Sequence, residues 1–166
     1  MSGPGRPGAA PITVRPAAPD DREFVLATAR RLSDFGPPPW RSSEEVVEGE
    51  ARTLRAYFEL PPPRTFLFVA EDADRRRLGF AYLQTLRDYF TDEEHGHVGI
   101  LAVTKEAEGR GAGGALLDAA EVWSRGLGFR KLTLNVFSGN AHARRVYERR
   151  GFEAESLRYI RNLADR

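Results

Sequence analysis

Eight consecutive residues, Glu108-Gly109-Arg110-Gly111-Ala112-Gly113-Gly114-Ala115, carry the strongest chemical signal in this 166-residue chain. They follow a strand-like run ending in Leu101-Ala102-Val103 and precede a helical stripe of Leu116, Ala120, Trp123 and Leu127. A helix start leaves backbone N–H groups without intrahelical partners, pointing where the helix dipole favours negative charge. Glycine lets the main chain approach phosphate oxygens with no Cβ in the way. Residue type and order therefore predict a phosphate or pyrophosphate cradle between Arg110 and Ala115. A Walker loop would end in Gly-Lys-Ser/Thr, where this turn has Gly113-Gly114-Ala115, and a dinucleotide fold would place its glycines after the first strand. Both fit poorly, and for the turn taken alone a plain strand–helix connection without ligand stays open.

A second run supplies context: Asn135-Val136-Phe137-Ser138-Gly139-Asn140-Ala141-His142-Ala143-Arg144-Arg145-Val146-Tyr147-Glu148-Arg149-Arg150-Gly151-Phe152. With the glycine turn it resembles the two signatures of the GNAT superfamily of N-acetyltransferases, in family order and spacing across residues 97 to 152. The resemblance implies transfer of acetyl from acetyl-CoA to an amine by direct attack in a ternary complex. It implies that Leu101, Ala102 and Val103 lend main-chain groups to the acetyl oxygen and the pantetheine arm, and that Glu108 through Ala115 hold the pyrophosphate. Asn140 and Ala143 fall at cofactor-contacting positions, and Tyr147 at that of the acid that protonates the leaving thiolate. Helix capping alone is the plainer role for Asn140, and core packing for Tyr147.

Two positions depart from the family pattern. Glu108 stands where Gln or Arg is common; a carboxylate is unfavourable beside pyrophosphate, so it is expected to face solvent with Arg110 partly compensating. Gly99 stands where many members carry a glutamate base. Alternation places His97 on the face of Gly99, and an imidazole suits a base near neutral pH, acting through a water. A histidine at a strand edge without a catalytic part is the bland alternative. Asp88, Glu93 and Glu94 are rival bases, or a solvated acidic loop.

The elements that must position these groups are readable in outline. Ile12 to Arg15 alternates as a strand. Asp20 with Glu23 opens a helix with Val25, Thr28, Ala29 and Leu32 on one face, and Ser42 with Glu45 opens a second with Val47, Ala51, Leu54 and Phe58. Strands are expected at 65–70, 78–86, 97–103 and 131–137, a helix capped by Asn140, and one or two terminal strands from Phe152 to Leu163. The order β-α-α-β-β-β-α-β-α-β is a mixed α/β sheet of GNAT type. Residues 1–11, Gly, Pro and Ala with one charge, are expected to be a flexible arm before a single acetyltransferase domain over 12–166. Phe35 and Trp40, among the prolines between the first two helices, and Glu93 in the acidic loop are the candidate acceptor contacts.

Composition bounds the partners. Twenty-five basic against 24 acidic residues give a net charge of +1, which marks neither nucleic acid nor an anionic membrane as the main partner. No cysteine and three histidines leave no disulfide, thiolate or cluster chemistry and no metal site. No apolar run is long enough to span a bilayer, and the N-terminus does not read as a signal peptide, so a cytoplasmic protein is expected, with a homodimer possible. Two other classes remain: a non-catalytic acetyl-CoA sensor, favoured by the missing glutamate, and a nucleotide binder. The acceptor, small molecule or peptide, is not specified by the sequence.

Overall fold

A computed structural model describes residues 11–163; of the expected N-terminal arm only Pro11 falls within them. Five strands form one sheet in the order β1-β2-β3-β4-β5: β1 Thr13–Pro16, β2 Thr65–Glu71, β3 Arg77–Arg87, β4 Glu94–Val103 and β5 Leu132–Leu134. The first four pair antiparallel; β5 joins β4 parallel. Helices α1 (Arg22–Ala29) and α2 (Ser43–Glu59) cover one face, around Leu67, Val69, Phe80, Tyr82, Ile100 and Ala102. Helix α3 (Ala112–Gly126) covers the other, burying Leu116, Leu117 and Ala120 against Ala81, Leu83 and Val98. At Gly96 this contact is so close that a Cβ would collide with the Ser124 hydroxyl, which fixes the height of α3 on the sheet. Helix α4 (Ala141–Arg149) follows β5.

Local signals explain several boundaries. The capping box of α2 is reciprocal: Glu45 N–H donates to Ser42 Oγ at 3.0 Å, and Ser42 N–H to the Glu45 carboxylate at 2.8 Å. Val46, not the expected Val47, is the first buried residue of its stripe, ahead of Ala51 and Leu54. At the start of α1 the working acid is Asp21 rather than the expected Asp20. Arg15 on β1 and Arg77 on β3 both reach the fully buried Asp21 carboxylate at 2.7 Å, and it accepts the Ala18 N–H. Burial alone would raise its pKa; the hydrogen bonds from Arg15 and Ala18, with the charges of both arginines, hold it below the ordinary carboxylate range. Helix α1 then tightens into a 3₁₀ turn, Arg30–Ser33.

Two expectations need correction. The strand expected over 131–137 stops at Leu134, because β5 keeps to β4 only through the pairs Gly96–Leu132, His97–Thr133 and Val98–Leu134. No strand forms from Phe152 to Leu163 among the described residues: Gly151 turns the chain at φ +84°, Phe152 packs under α4, and the rest is exposed. Alternation makes a segment able to be a strand; only a neighbouring edge makes it one.

Candidate active site

The site begins with a bulge. β3 pairs Tyr82 with Ile100 but Leu83 with Val98, which leaves Gly99 as an extra residue in β4. Val98 therefore faces α3 while Ile100 faces α1 and α2. Beyond this point β4 runs on to Val103 without β5, and a slot opens between them. Thr104 N–H bonds back to Leu78 on β3 at 2.8 Å, so by alternation the Ala102 main chain also faces β3, whereas Leu101 and Val103 turn theirs into the slot. Of the three β4 residues expected to bind through their main chain, Leu101 and Val103 face the slot, the Val103 carbonyl already accepting from Arg31, and Ala102 faces β3.

The glycine turn closes one end of the slot. Gly111 takes φ +93°, a left-handed conformation that glycine alone adopts cheaply, and stands as the N-cap of α3 without a capping side chain. Ala115 N–H makes the first helical bond, to Gly111, so the Ala112, Gly113 and Gly114 N–H groups are left as outward donors. A Cβ at Gly114 would approach the Arg150 guanidinium to 2.9 Å; Arg150, from the end of α4, thus lies over the first turn of α3 and also pairs with Asp118. Glu108 does not face open solvent alone: Arg31, from the 3₁₀ turn, pairs with it and holds its carboxyl below the usual range. The same guanidinium donates to the Val103 carbonyl at 2.8 Å. Arg110, expected to offset Glu108, is turned toward Asp72 at 3.7 Å. Arg31 and Arg150 left no signal in the sequence beyond their charge.

On the α2 face, directly opposed residues place Gln84, His97 and Thr133 in one row across β3, β4 and β5. A Cβ at Gly99 would meet Gln84 Oε1 and Tyr82, both at 3.2 Å, so His97 and Gly99 share this face, and Gln84 Oε1 points at the space Gly99 leaves. His97 is buried and its Nδ1 lies 2.8 Å from Thr133 Oγ1. In the tautomer whose Nδ1–H donates to that hydroxyl, which can pass its own hydrogen to the Gly96 carbonyl 3.4 Å away, the lone pair is on Nε2. Burial, and to a lesser degree the neighbouring His95, lowers the His97 pKa below 6.5. The ring is a neutral base at neutral pH.

Tyr147 stands on the other side of the slot. It packs from α4 onto the cluster that includes Leu101 and Val103, its ring edge-on to Phe152 at 5.9 Å. Burial raises its pKa above 10, and no described residue hydrogen-bonds its hydroxyl. Asn140 caps α4, accepting the Ala143 N–H at 3.1 Å, which engages the side chain in the plainer of its two expected roles.

The candidate acceptor contacts separate. Phe35 stacks on Phe137, just past β5, with centroids 5.1 Å apart, so the segment that starts at Arg31 on the β4 side ends on the β5 side and straps the slot. Trp40 is half-exposed and Glu93 lies with His95, Arg130 and Lys131 in a separate recess of about 230 Å³. The acidic loop is largely neutralised: Asp88 pairs with Lys131, Asp92 with Arg87, and Glu94 with Arg64 and Arg87. Among the described residues no group of side chains could hold a metal ion, and no helix is long and apolar enough to cross a membrane.

A mixed sheet that parts between parallel β4 and β5, with helix-start donors at the mouth, defines an acyl-CoA-dependent transferase. The sequence model of the acetyltransferase (GNAT) family matches residues 29–152. An aminoglycoside N(6')-acetyltransferase type 1 of Stenotrophomonas maltophilia is 33% identical over 149 residues, 87% of this chain and 94% of that one. A mycothiol acetyltransferase of Actinosynnema mirum is 39% identical over 133 residues; the match takes in 80% of this chain but only 41% of that longer protein. A putative acetyl transferase from Pyrococcus furiosus superposes with a TM-score of 0.75 at 25% identity, covering 92% of this chain and all of that one. The chain belongs to the GNAT acetyltransferase family and is an acetyl-CoA-dependent N-acetyltransferase. The residues present fit the co-substrate: donors at α3 for a diphosphate, and an open β4 edge for an amide-bearing arm.

Proposed function

We propose that the chain acetylates an amine held on the α2 face, with His97 as the base and Tyr147 as the acid. Acetyl-CoA, when bound, supplies an activated acetyl group. What supports the reading is that a neutral, buried imidazole lies on the α2 face one pair before β4 leaves β5, while a protonated phenol packs from α4 beside Leu101 and Val103 on the α3 side. His97 Nε2 takes the ammonium proton, directly or through a water in the space beside Gly99, and frees the nitrogen lone pair for attack. Main-chain N–H groups at Leu101 and Val103 are the available donors to an oxyanion. Tyr147, kept protonated by burial, holds a proton for the leaving sulfur. The strap from Arg31 to Phe35 limits water above the slot. The test is thiol release from acetyl-CoA over an amine panel of peptides, amino acids, polyamines and aminoglycosides. Release with at least one class is expected; acetyl-CoA bound without release by any class would overturn the assignment.

We also infer a homodimer formed through residues 153–163. Leu157, Tyr159, Ile160 and Leu163 are exposed there in a segment with no strand partner. Antiparallel pairing of two copies about Leu157 sets Glu153 opposite Arg161 and Ala154 opposite Ile160. Light scattering is expected to give twice the 18.5 kDa chain mass, and Leu157→Asp with Ile160→Asp a monomer. A monomeric native protein would sink the inference.

A further inference from the structure

A cleft of about 490 Å³ opens between α2, the start of β2 and β3. Its inner end is made by Tyr82, Gln84 and Thr85, and its outer end by Arg52 and Thr53 of α2. The inner end adjoins the catalytic row, since Gln84 pairs with His97 and turns Oε1 toward Gly99. It offers acceptors for an amine: Gln84 Oε1 and the Tyr82 hydroxyl.

The outer end is different. Arg52 is exposed, and no described residue forms an ion pair with it; Glu48, one helical turn before it, is taken by Arg55. No carboxylate lines the cleft. A polycationic acceptor would meet one positive charge and no negative one. The acidic loop, the feature that could draw a cation, has all but Glu93 engaged by arginines and Lys131, and Glu93 lies in the other recess.

We propose that the acceptor is a primary amine that also bears an anionic group, a carboxylate or a phosphate, with its nitrogen beside Gln84 and its anion at Arg52. This rests on the acetyl-transfer reading above and adds the substrate class. The ammonium loses one proton to His97, the freed amine nitrogen bonds to the acetyl carbon, the C–S bond breaks as the thiolate takes a proton from Tyr147, and the second proton shed by the nitrogen as the amide forms restores the phenol, while His97 passes its proton to solvent. Gln84 orients the amine, and Arg52 selects the molecule by its far end.

The test compares three amines of matched length, an amino-carboxylate, its neutral amide and a diamine, together with an amino-phosphate, by kcat/KM and by calorimetric titration without acetyl-CoA. Native protein is expected to prefer the better of the two anionic amines over the amide by about tenfold, the worth of one charge-assisted contact. The carboxylate and phosphate arms tell which anion fits. Arg52→Glu, on the solvent face of α2, is expected to invert that preference in both rate and binding, and Arg52→Lys to keep its sign. Equal or better use of the diamine, or a preference unmoved in Arg52→Glu, overturns the proposal while leaving acetyl transfer standing. Failure to acetylate any of the four, or any amine of the wider panel, overturns acetyl transfer and the proposal with it.

Discussion

Tyr147→Phe is expected to lower kcat about a hundredfold while the Kd for acetyl-CoA stays within about twofold of native. The phenol and phenyl rings have the same shape, so the edge-on contact with Phe152 and the packing beside Leu101 and Val103 persist. What is lost is one proton donor. No described protein group satisfies that hydroxyl, so its removal leaves no orphaned partner, and burial has already pushed its pKa up, which keeps the proton in place until a thiolate needs it. Steady-state rates and an equilibrium titration with acetyl-CoA separate the two effects. A matched fall in affinity would make Tyr147 a packing residue of the cofactor cleft.

What could be read in the sequence and what could not divides along the range of the interaction. The Ser42–Glu45 capping box, the Asn140 cap and the Gly111 turn are set by residues within four positions of one another, and each forms where the pattern predicts. The pairing of Arg31 with Glu108 spans 77 positions, and that of His97 with Thr133 spans 36. Neither leaves a local trace, because both depend on strand register. The bulge at Gly99 is the sharpest case. Strict alternation would put Val98, Ile100 and Ala102 on one face, whereas the extra residue sends Val98 to α3 and the other two to α1 and α2. The bulge falls at the glycine that stands where the resemblance implies a carboxylate, directly after Val98–Leu134, the last pair of the β4–β5 ladder. Segment 153–163 fails in the opposite sense: its alternation is present, but nothing nearby in sequence says which edge, if any, will receive it.

The base is the second position where a large effect is expected. His97→Gln is expected to lower kcat by about tenfold to a hundredfold and to flatten the acidic limb of its pH profile. The sign follows from burial. A histidine whose pKa is lowered stays neutral, and therefore competent as a base, down to below pH 6.5; native kcat should be level above that value and fall as protonation removes the Nε2 lone pair. Glutamine keeps a polar side chain opposite Thr133 but cannot take a proton, so its rate should not follow that titration. Thr133 acts through His97, and its substitution gives the finer reading. Thr133→Val removes the group that holds Nδ1–H, frees the ring to present the wrong nitrogen, and should cost roughly tenfold in kcat. Thr133→Ser, which restores the hydroxyl without the methyl, should recover most of it, an outcome that a packing role for the side chain would not produce. A pH profile in His97→Gln that overlays the native one between pH 5 and 9 would remove the imidazole from the reaction and leave the slot waiting for a base of another kind.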